Sequence, residues 1–190
     1  MRRGRQRPRL GKVQMREIPL TRGYIAIVDD EDYEWLMQYK WRVQINTKDA
    51  MYAITSLAKR IEGYSWTRHE TMHRMILELP EGQHIDHING NKLDNRKCNL
   101  RLCTPSQNNK NLGKNRTYRG VPTTSTYKGV CHRSRNCWSA TINVDGVPHR
   151  LGHFPTEEAA ANAYDEAAKR LHGAFARTNQ DLYSNSNGEN

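Results

Sequence analysis

Asp86 and His87 stand side by side in the stretch 84–109, HIDHINGNKLDNRKCNLRLCTPSQNN, with Asn99 and Asn108 downstream. Asp86 offers a hard carboxylate oxygen and Asn108 a carboxamide oxygen, a donor pair that suits Mg²⁺ or Mn²⁺ completed by water. An imidazole titrates near neutral pH, so His87 is the natural proton acceptor beside such an ion. A base, a cation to absorb charge, and groups that hold the scissile bond in line are what phosphodiester hydrolysis needs. A second arrangement competes with it. His69-Glu70-Thr71-Met72-His73 matches HExxH, which on a helix would place two zinc ligands and a general base on one face. No glycine-spaced third histidine follows. His73 is therefore placed at the edge of the first site, or in the packing of a helix.

The elements around these residues must bring them to one point. Two β-type runs, 84–88 and 99–104, flank a loop of turn formers: Asn89, Gly90, Asn91, Asp94 and Asn95. Thr104-Pro105-Ser106 opens a helix, with a hydroxyl cap and proline at the first helical position. Strict alternation would send Asp86 and His87 to opposite strand faces, so a twist or a strand end must intervene. Upstream, Met72, Met75, Ile76 and Leu79 predict a helix over 68–79, stopped by Pro80-Glu81-Gly82. Strands are expected at 23–28, 41–45, 51–55 and 63–67, with a polar turn at 46–49. The acids of 29–34 precede Trp35, Leu36 and Met37. They suit the positive end of a helix dipole, and a carboxylate cluster holding a metal is the alternative.

The chain has 190 residues, room for one or two small domains, and its hydrophobic fraction of 36% is low for one large core. There is no apolar run of the roughly 18–20 residues needed to cross a membrane. The charged N-terminus lacks the apolar segment of a secretion signal. A soluble, intracellular protein is expected, with no membrane and no small-molecule substrate. Cys98, Cys103, Cys131 and Cys137 show no zinc-site spacing and read as reduced thiols.

The net charge of +10 points to a polyanionic partner. Its distribution says more. Arg2, Arg3, Arg5, Arg7, Arg9, Lys12, Arg16 and Arg22 face one acid, Glu17, within 1–22. Lys110, Lys114, Arg116 and Arg119 form a second basic stretch. Both read as flexible arms along phosphates, which raise affinity without reading sequence. A solvated tail that aids solubility is the alternative.

The segment from about His73 to Asn109 resembles the HNH nucleases of the ββα-metal fold, in particular the homing endonuclease branch found in phages and introns. The matching pieces are Met72-His73-Arg74, Asp86-His87-Ile88-Asn89-Gly90-Asn91, Asp94-Asn95, Asn99-Leu100-Arg101 and Ser106-Gln107-Asn108. The resemblance implies that Asp86 and Asn108 bind one divalent cation and that His87 is the general base. It makes Asn99 a structural residue that ties the loop by amide hydrogen bonds. Asn108 stands where many relatives carry histidine, which favours an oxygen-preferring ion over zinc.

Residues 112–125 read as a basic linker, and a further module begins near Thr126. Asp145-Gly146 is a strong two-residue hairpin signal. Before it, Trp138, Ala140, Ile142 and Val144 share one face, and Ser139, Thr141 and Asn143 the other. On the partner strand Leu151 faces in and Arg150 out. Thr156 caps a helix that Gly173 stops, with an inner stripe of Ala160, Tyr164, Ala167, Ala168 and Leu171. Such a sheet, covered on one side, can enter the major groove with the other. This module resembles the plant ethylene-response-factor (Apetala-type) DNA-binding domain through Tyr127-Lys128-Gly129-Val130, Leu151-Gly152-His153-Phe154, Thr156-Glu157-Glu158-Ala159-Ala160 and Ala163-Tyr164-Asp165. By position, the resemblance implies that Lys128, Arg133, Arg135, Thr141, Asn143 and Arg150 face DNA. Cys131, Arg135, Thr141, Asn143 and Arg150 replace family residues on the reading face, so the plant target sequence does not carry over.

The expected architecture is α+β. A basic arm (1–22) and a β-rich segment (23–67) precede a central ββα-metal nuclease unit (68–111). The linker then leads to a three-stranded antiparallel sheet packed on one helix (126–178) and a tail (179–190). The expected function is a homing-type DNA endonuclease that nicks duplex DNA in a phage host cell. Whether it acts as monomer or homodimer is open at this level. The rival is a sequence-specific DNA-binding regulator with an inactive nuclease unit.

Overall fold

A computed structural model describes residues 14–46, 50–61, 64–80, 82–114, 117–118 and 121–184. The chain divides into two compact units, 1–101 and 102–190.

In the first unit, β1 (Met15–Pro19) and β2 (Ile25–Asp29) pair antiparallel. Residues 14–22 are thus not the second half of an arm. The run Met15-Arg16-Glu17-Ile18-Pro19 buries Ile18 and exposes its neighbours, the half-buried strand pattern. Arg2, Arg3, Arg5, Arg7, Arg9 and Lys12 lie outside the described residues. α1 (Asp30–Leu36) carries Asp30, Glu31 and Asp32 in its first turn, as the acid run leads one to expect. β3 (Arg42–Ile45), β4 (Met51–Ile61) and β5 (Tyr64–Thr71) make an antiparallel meander. Most of the turn expected at 46–49 lies outside the described residues.

α2 (Met72–Leu77) is shorter than the predicted helix. Residues 68–71 belong to β5, where Arg68 faces Leu57 and Thr71 faces Ile54 across the ladder. The helix ends at Glu78, which adopts a left-handed conformation (φ 48°), before Pro80 is reached. HExxH is therefore split between a strand and a helix, and its two histidines do not share a helical face. His69 is exposed and its ring nitrogen lies 3.1 Å from Ser56 Oγ. The zincin arrangement is not formed.

β6 (His84–His87) and β7 (Leu100–Cys103) form a two-stranded sheet, and α3 (Pro105–Lys110) follows. Strand, loop, strand, helix is the expected order. The core of the first unit gathers Ile18, Val28, Leu36, Trp41, Met72 and Ile76, and takes in Leu93 from the loop and Leu100 from β7. No helix among the described residues is long and apolar enough to cross a membrane.

In the second unit, Thr104 caps α3 through a reciprocal pair of bonds with Gln107, a device worth about 1 kcal/mol. β8 (Thr117–Tyr118) and β9 (Val121–Pro122) form a short pair within the expected linker. Arg116 and Arg119 lie outside the described residues. β10 (Val130–Ser134), β11 (Cys137–Val144) and β12 (Val147–Phe154) form an antiparallel sheet in that order. α4 (Glu157–His172) lies against it, capped by Thr156 Oγ1. Ala160, Tyr164, Ala167 and Ala168 are buried as expected. Leu171 is instead 39% exposed, and His172 takes the inner position. His172 Nε2 lies 3.0 Å from Asn143 O on β11. α5 (Asn179–Ser184) closes the unit, through Asn179 bonded to Asp165 and to Lys128 N.

Candidate active site

The loop between β6 and β7 is held almost entirely by amide and carboxylate hydrogen bonds. Asn99 Oδ1 accepts from Asn89 N (2.9 Å), and Asn99 Nδ2 donates to Asp94 O (2.7 Å). Asn99 therefore closes the loop through its own side chain. Asp94 is clamped by Arg96 Nη2 (2.6 Å) and Asn89 Nδ2 (2.8 Å). Although burial would raise the Asp94 pKa, the Arg96 guanidinium and the Asn89 amide hold it below the usual carboxylate range. The loop is also stitched to β2: Ile27 N donates to Leu93 O (2.8 Å) and Asn95 N to Ile27 O (2.7 Å). Asp29 Oδ2 accepts from Lys97 N, and Lys97 Nζ reaches Glu31 and Asp32 on α1. Asp29, Glu31 and Asp32 therefore anchor the loop.

On this frame Asp86 is 0% and His87 1% exposed. Alternation does place the two on opposite sides of β6, yet His87 is its last residue, and both sides are covered there. The Asp86 carboxylate receives Arg101 Nη2 (2.6 Å) and Nε (3.0 Å) on Oδ2, with Lys92 Nζ 3.7 Å from Oδ1. The His87 ring packs edge-on against His73, with ring centroids 5.1 Å apart, and His73 in turn lies 5.8 Å from the Tyr52 ring. The structure thus brings His73 to His87. The Asn95 side chain, whose Nδ2 donates to Leu93 O (3.0 Å), lies close enough to the His87 ring to favour its charged form.

Burial, reinforced by Lys92, pushes the His87 pKa down to about 4, against the opposing pull of Asn95, Asp86 and Asp94. Burial, followed by the cost of charging His73 beside His87 and by the positive Lys92 and Arg74, pushes His73 to about 3. Both rings are neutral at physiological pH, so each keeps a nitrogen lone pair. Lys92 and Tyr52 were not singled out by the sequence, while Asn95 and Arg101 were noted only as a turn former and as part of a matching motif piece, without a role beside His87 or Asp86. Arg101 sits on β7, which directly follows the turn that ends at Asn99.

Asn108 lies on α3 in the second unit, half-buried. No cluster of three or more His, Cys, Asp or Glu side chains suited to a metal occurs among the described residues. A fully buried carboxylate that already attracts two cationic side chains fits a divalent ion. The available donors are oxygens, with most of the coordination shell left to water and substrate, as Mg²⁺ prefers. The four cysteines are free thiols, with Cys98 exposed.

Of the residues expected to face DNA, Arg133, Thr141 and Arg150 line one groove of about 420 Å³ on the β10–β12 sheet. Arg135 lies on the exposed β10–β11 turn. Asn143 is exposed, with its Oδ1 accepting from Gly146 N within the β11–β12 turn. Lys128 is placed differently. Its ammonium donates to Lys110 O (3.0 Å) and Leu112 O (2.6 Å), so it serves the inside of the unit and not the sheet face. Burial accordingly lowers its pKa to about 8.

The family model for HNH endonucleases matches residues 77–110. An HNH endonuclease of Acanthamoeba polyphaga mimivirus is 31% identical over 161 residues, 84% of this chain and 76% of the viral protein. Protein 3.8 of Escherichia phage T7 is 34% identical over 100 residues, 52% of this chain and 78% of that protein. An AP2/ERF and B3 domain-containing protein of Oryza sativa is 48% identical over 56 residues, 30% of this chain and 18% of the plant protein. No solved structure matches. The loop-bound Asp86 and His87 fall inside the matched segment, and the viral likeness runs through most of both chains: this protein belongs to the HNH endonuclease family.

Proposed function

We propose that the chain is a divalent-metal-dependent, sequence-directed DNA endonuclease of the homing type that nicks duplex DNA. The observation that carries this reading is the buried Asp86–His87 pair, with a neutral His87 ring packed edge-on against His73. β6, β7 and α3 are its ββα unit. Asp86 and Asn108 hold the cation, Mg²⁺ or Mn²⁺. When bound, that ion supplies charge neutralisation at the phosphate and the departing oxygen. His87 takes the proton of the attacking water at a ring nitrogen. His73 and Tyr52 wall the base and keep bulk water from it. Arg101 and Lys92 offset the Asp86 charge and orient its carboxylate. Cleavage leaves a 5′-phosphate and a 3′-hydroxyl.

Duplex DNA is the substrate and partner. The likeness to the plant AP2/ERF protein and the one-sided cover of the β10–β12 sheet support a sequence-reading role for its open face. Arg2, Arg3, Arg5 and Arg7 add sequence-independent phosphate contacts in this reading. One active site per chain makes a nick the product of a single encounter.

Incubation of supercoiled plasmid with the protein tests the reading. Open circles are expected with Mg²⁺ or Mn²⁺ and none with chelator. Tight, sequence-selective binding without any cleavage under either metal would favour the inactive regulator instead. Arg150 lines the open groove, so Arg150→Ala is expected to weaken the preferred site by about 1–3 kcal/mol and non-specific DNA far less. Competition binding at fixed salt reads this, and equal losses on all sequences would contradict groove reading.

A further inference from the structure

α3 is only six residues long, and its own contacts could not fix a ligand-bearing side chain. Within the second unit it is held at three points. Ser106 Oγ donates to Asp145 Oδ1 (2.8 Å), and Lys110 Nζ lies 3.3 Å from the same oxygen. Asp145 stands at the tip of the β11–β12 hairpin, where it and Gly146 both take positive φ (50° and 90°). Such a two-residue turn is stiff and matches the twist of its strands, so the carboxylate projects from a fixed place. The third point is Lys128, which donates to the carbonyls of Lys110 and Leu112 at the end of the helix. Lys128 is itself seated by the sheet module: Asn179 Oδ1 accepts from its backbone N (2.6 Å), and its ammonium lies 5.9 Å from the Tyr164 ring centroid. These groups ring a cavity of about 650 Å³ beside Asn109.

We propose that Lys128 and Asp145 are positioning residues for the nuclease reaction: they fix the Asn108 helix to the β10–β12 sheet, so the sheet that reads DNA also carries a metal ligand. This rests on the reading of Asn108 as a ligand of the ion. The sheet module and α3 then move as one body. Seating the sheet on its target therefore also places the Asn108 carboxamide that the same unit carries. Lys128 acts through backbone carbonyls one turn from Asn108 and touches neither ion nor substrate.

The test uses the full chain with Mn²⁺ as probe and Lys128→Met, Asp145→Ala, Lys128→Arg and Asn108→Ala as variants. Mn²⁺ affinity is read by electron paramagnetic resonance on the protein–DNA complex, alongside nicking rates and DNA binding in chelator. Lys128→Met and Asp145→Ala are each expected to weaken Mn²⁺ binding by about tenfold, the low end of what losing an outer-shell partner costs a metal site. DNA binding in chelator should change by less than about twofold, well under one tenfold step of binding free energy. Lys128→Arg, which keeps the donors, should recover most of the loss. Asp145 is exposed, so its variant keeps the test sharp should Lys128→Met fail to fold. Unchanged Mn²⁺ affinity in folded Asp145→Ala would overturn the proposal. A parallel loss of DNA binding in chelator would overturn it too, by making these residues DNA contacts. Should Asn108→Ala itself leave Mn²⁺ affinity intact, the ligand reading fails. A shift in Asn108→Ala without one in the other two sinks only the positioning role.

Discussion

His87→Ala is expected to slow plasmid nicking by about 10²–10⁴-fold, the span that a positioned general base contributes. The ring is 1% exposed and stands against His73, so the deletion opens a space the neighbours only partly fill. That stability loss is separable from the chemistry. The loop's frame runs through Asn99, Asn89 and Asp94 and does not involve the His87 side chain. DNA binding in chelator should therefore persist while turnover collapses. Both imidazoles are neutral at physiological pH, but only His87 stands next to Asp86 in the strand. His73→Ala should accordingly cost less than His87→Ala. Full nicking activity in a folded His87→Ala protein would remove the base from the mechanism.

Gly129→Ala is expected to destabilise the second unit by roughly 2–5 kcal/mol, from two independent causes. Gly129 has φ +75°, a conformation that alanine reaches only under strain. An added Cβ would also stand 2.1 Å from Tyr164 Cδ2 and 2.8 Å from Thr141 O. Neither neighbour can give way. Tyr164 is 3% exposed in the α4 stripe, and Thr141 N donates to the Gly129 carbonyl (2.9 Å). Urea unfolding followed by a probe in α4 should show an earlier midpoint with unchanged slope. An unaltered midpoint would mean that the strand and helix separate more easily than their packing implies.

Much of this arrangement was legible in the chain because local chemistry and tertiary need agree there. Thr104-Pro105 and Thr156 carry their caps in their own side chains, and Asp145-Gly146 can hardly be anything but a hairpin tip. The strand, loop, strand and helix around Asp86 followed for the same reason. Agreement failed where two periods overlap. Met72, Met75 and Ile76 do mark a helix, but the residues before them pair with β4, and strand pairing outweighed local propensity up to Thr71. β1 was hidden by its charges, since a strand with one buried residue in five hardly differs from a basic tail. Lys128 was misplaced because a long stem can turn inward to carbonyls that no sequence pattern announces. Asn95 was noted as a turn former, and its place beside His87 depends on the tertiary fold of the loop.

The stitching of Leu93 and Asn95 to Ile27 has a bearing on what can be transplanted. The recognisable motif begins at residue 77, yet its loop borrows main-chain partners from a strand some fifty positions earlier. A graft of the motif alone into another scaffold would leave that edge without its mate, exposing amide and carbonyl groups that evolution had matched. The portable cassette is therefore discontinuous: it consists of the cutting segment together with its N-terminal hairpin.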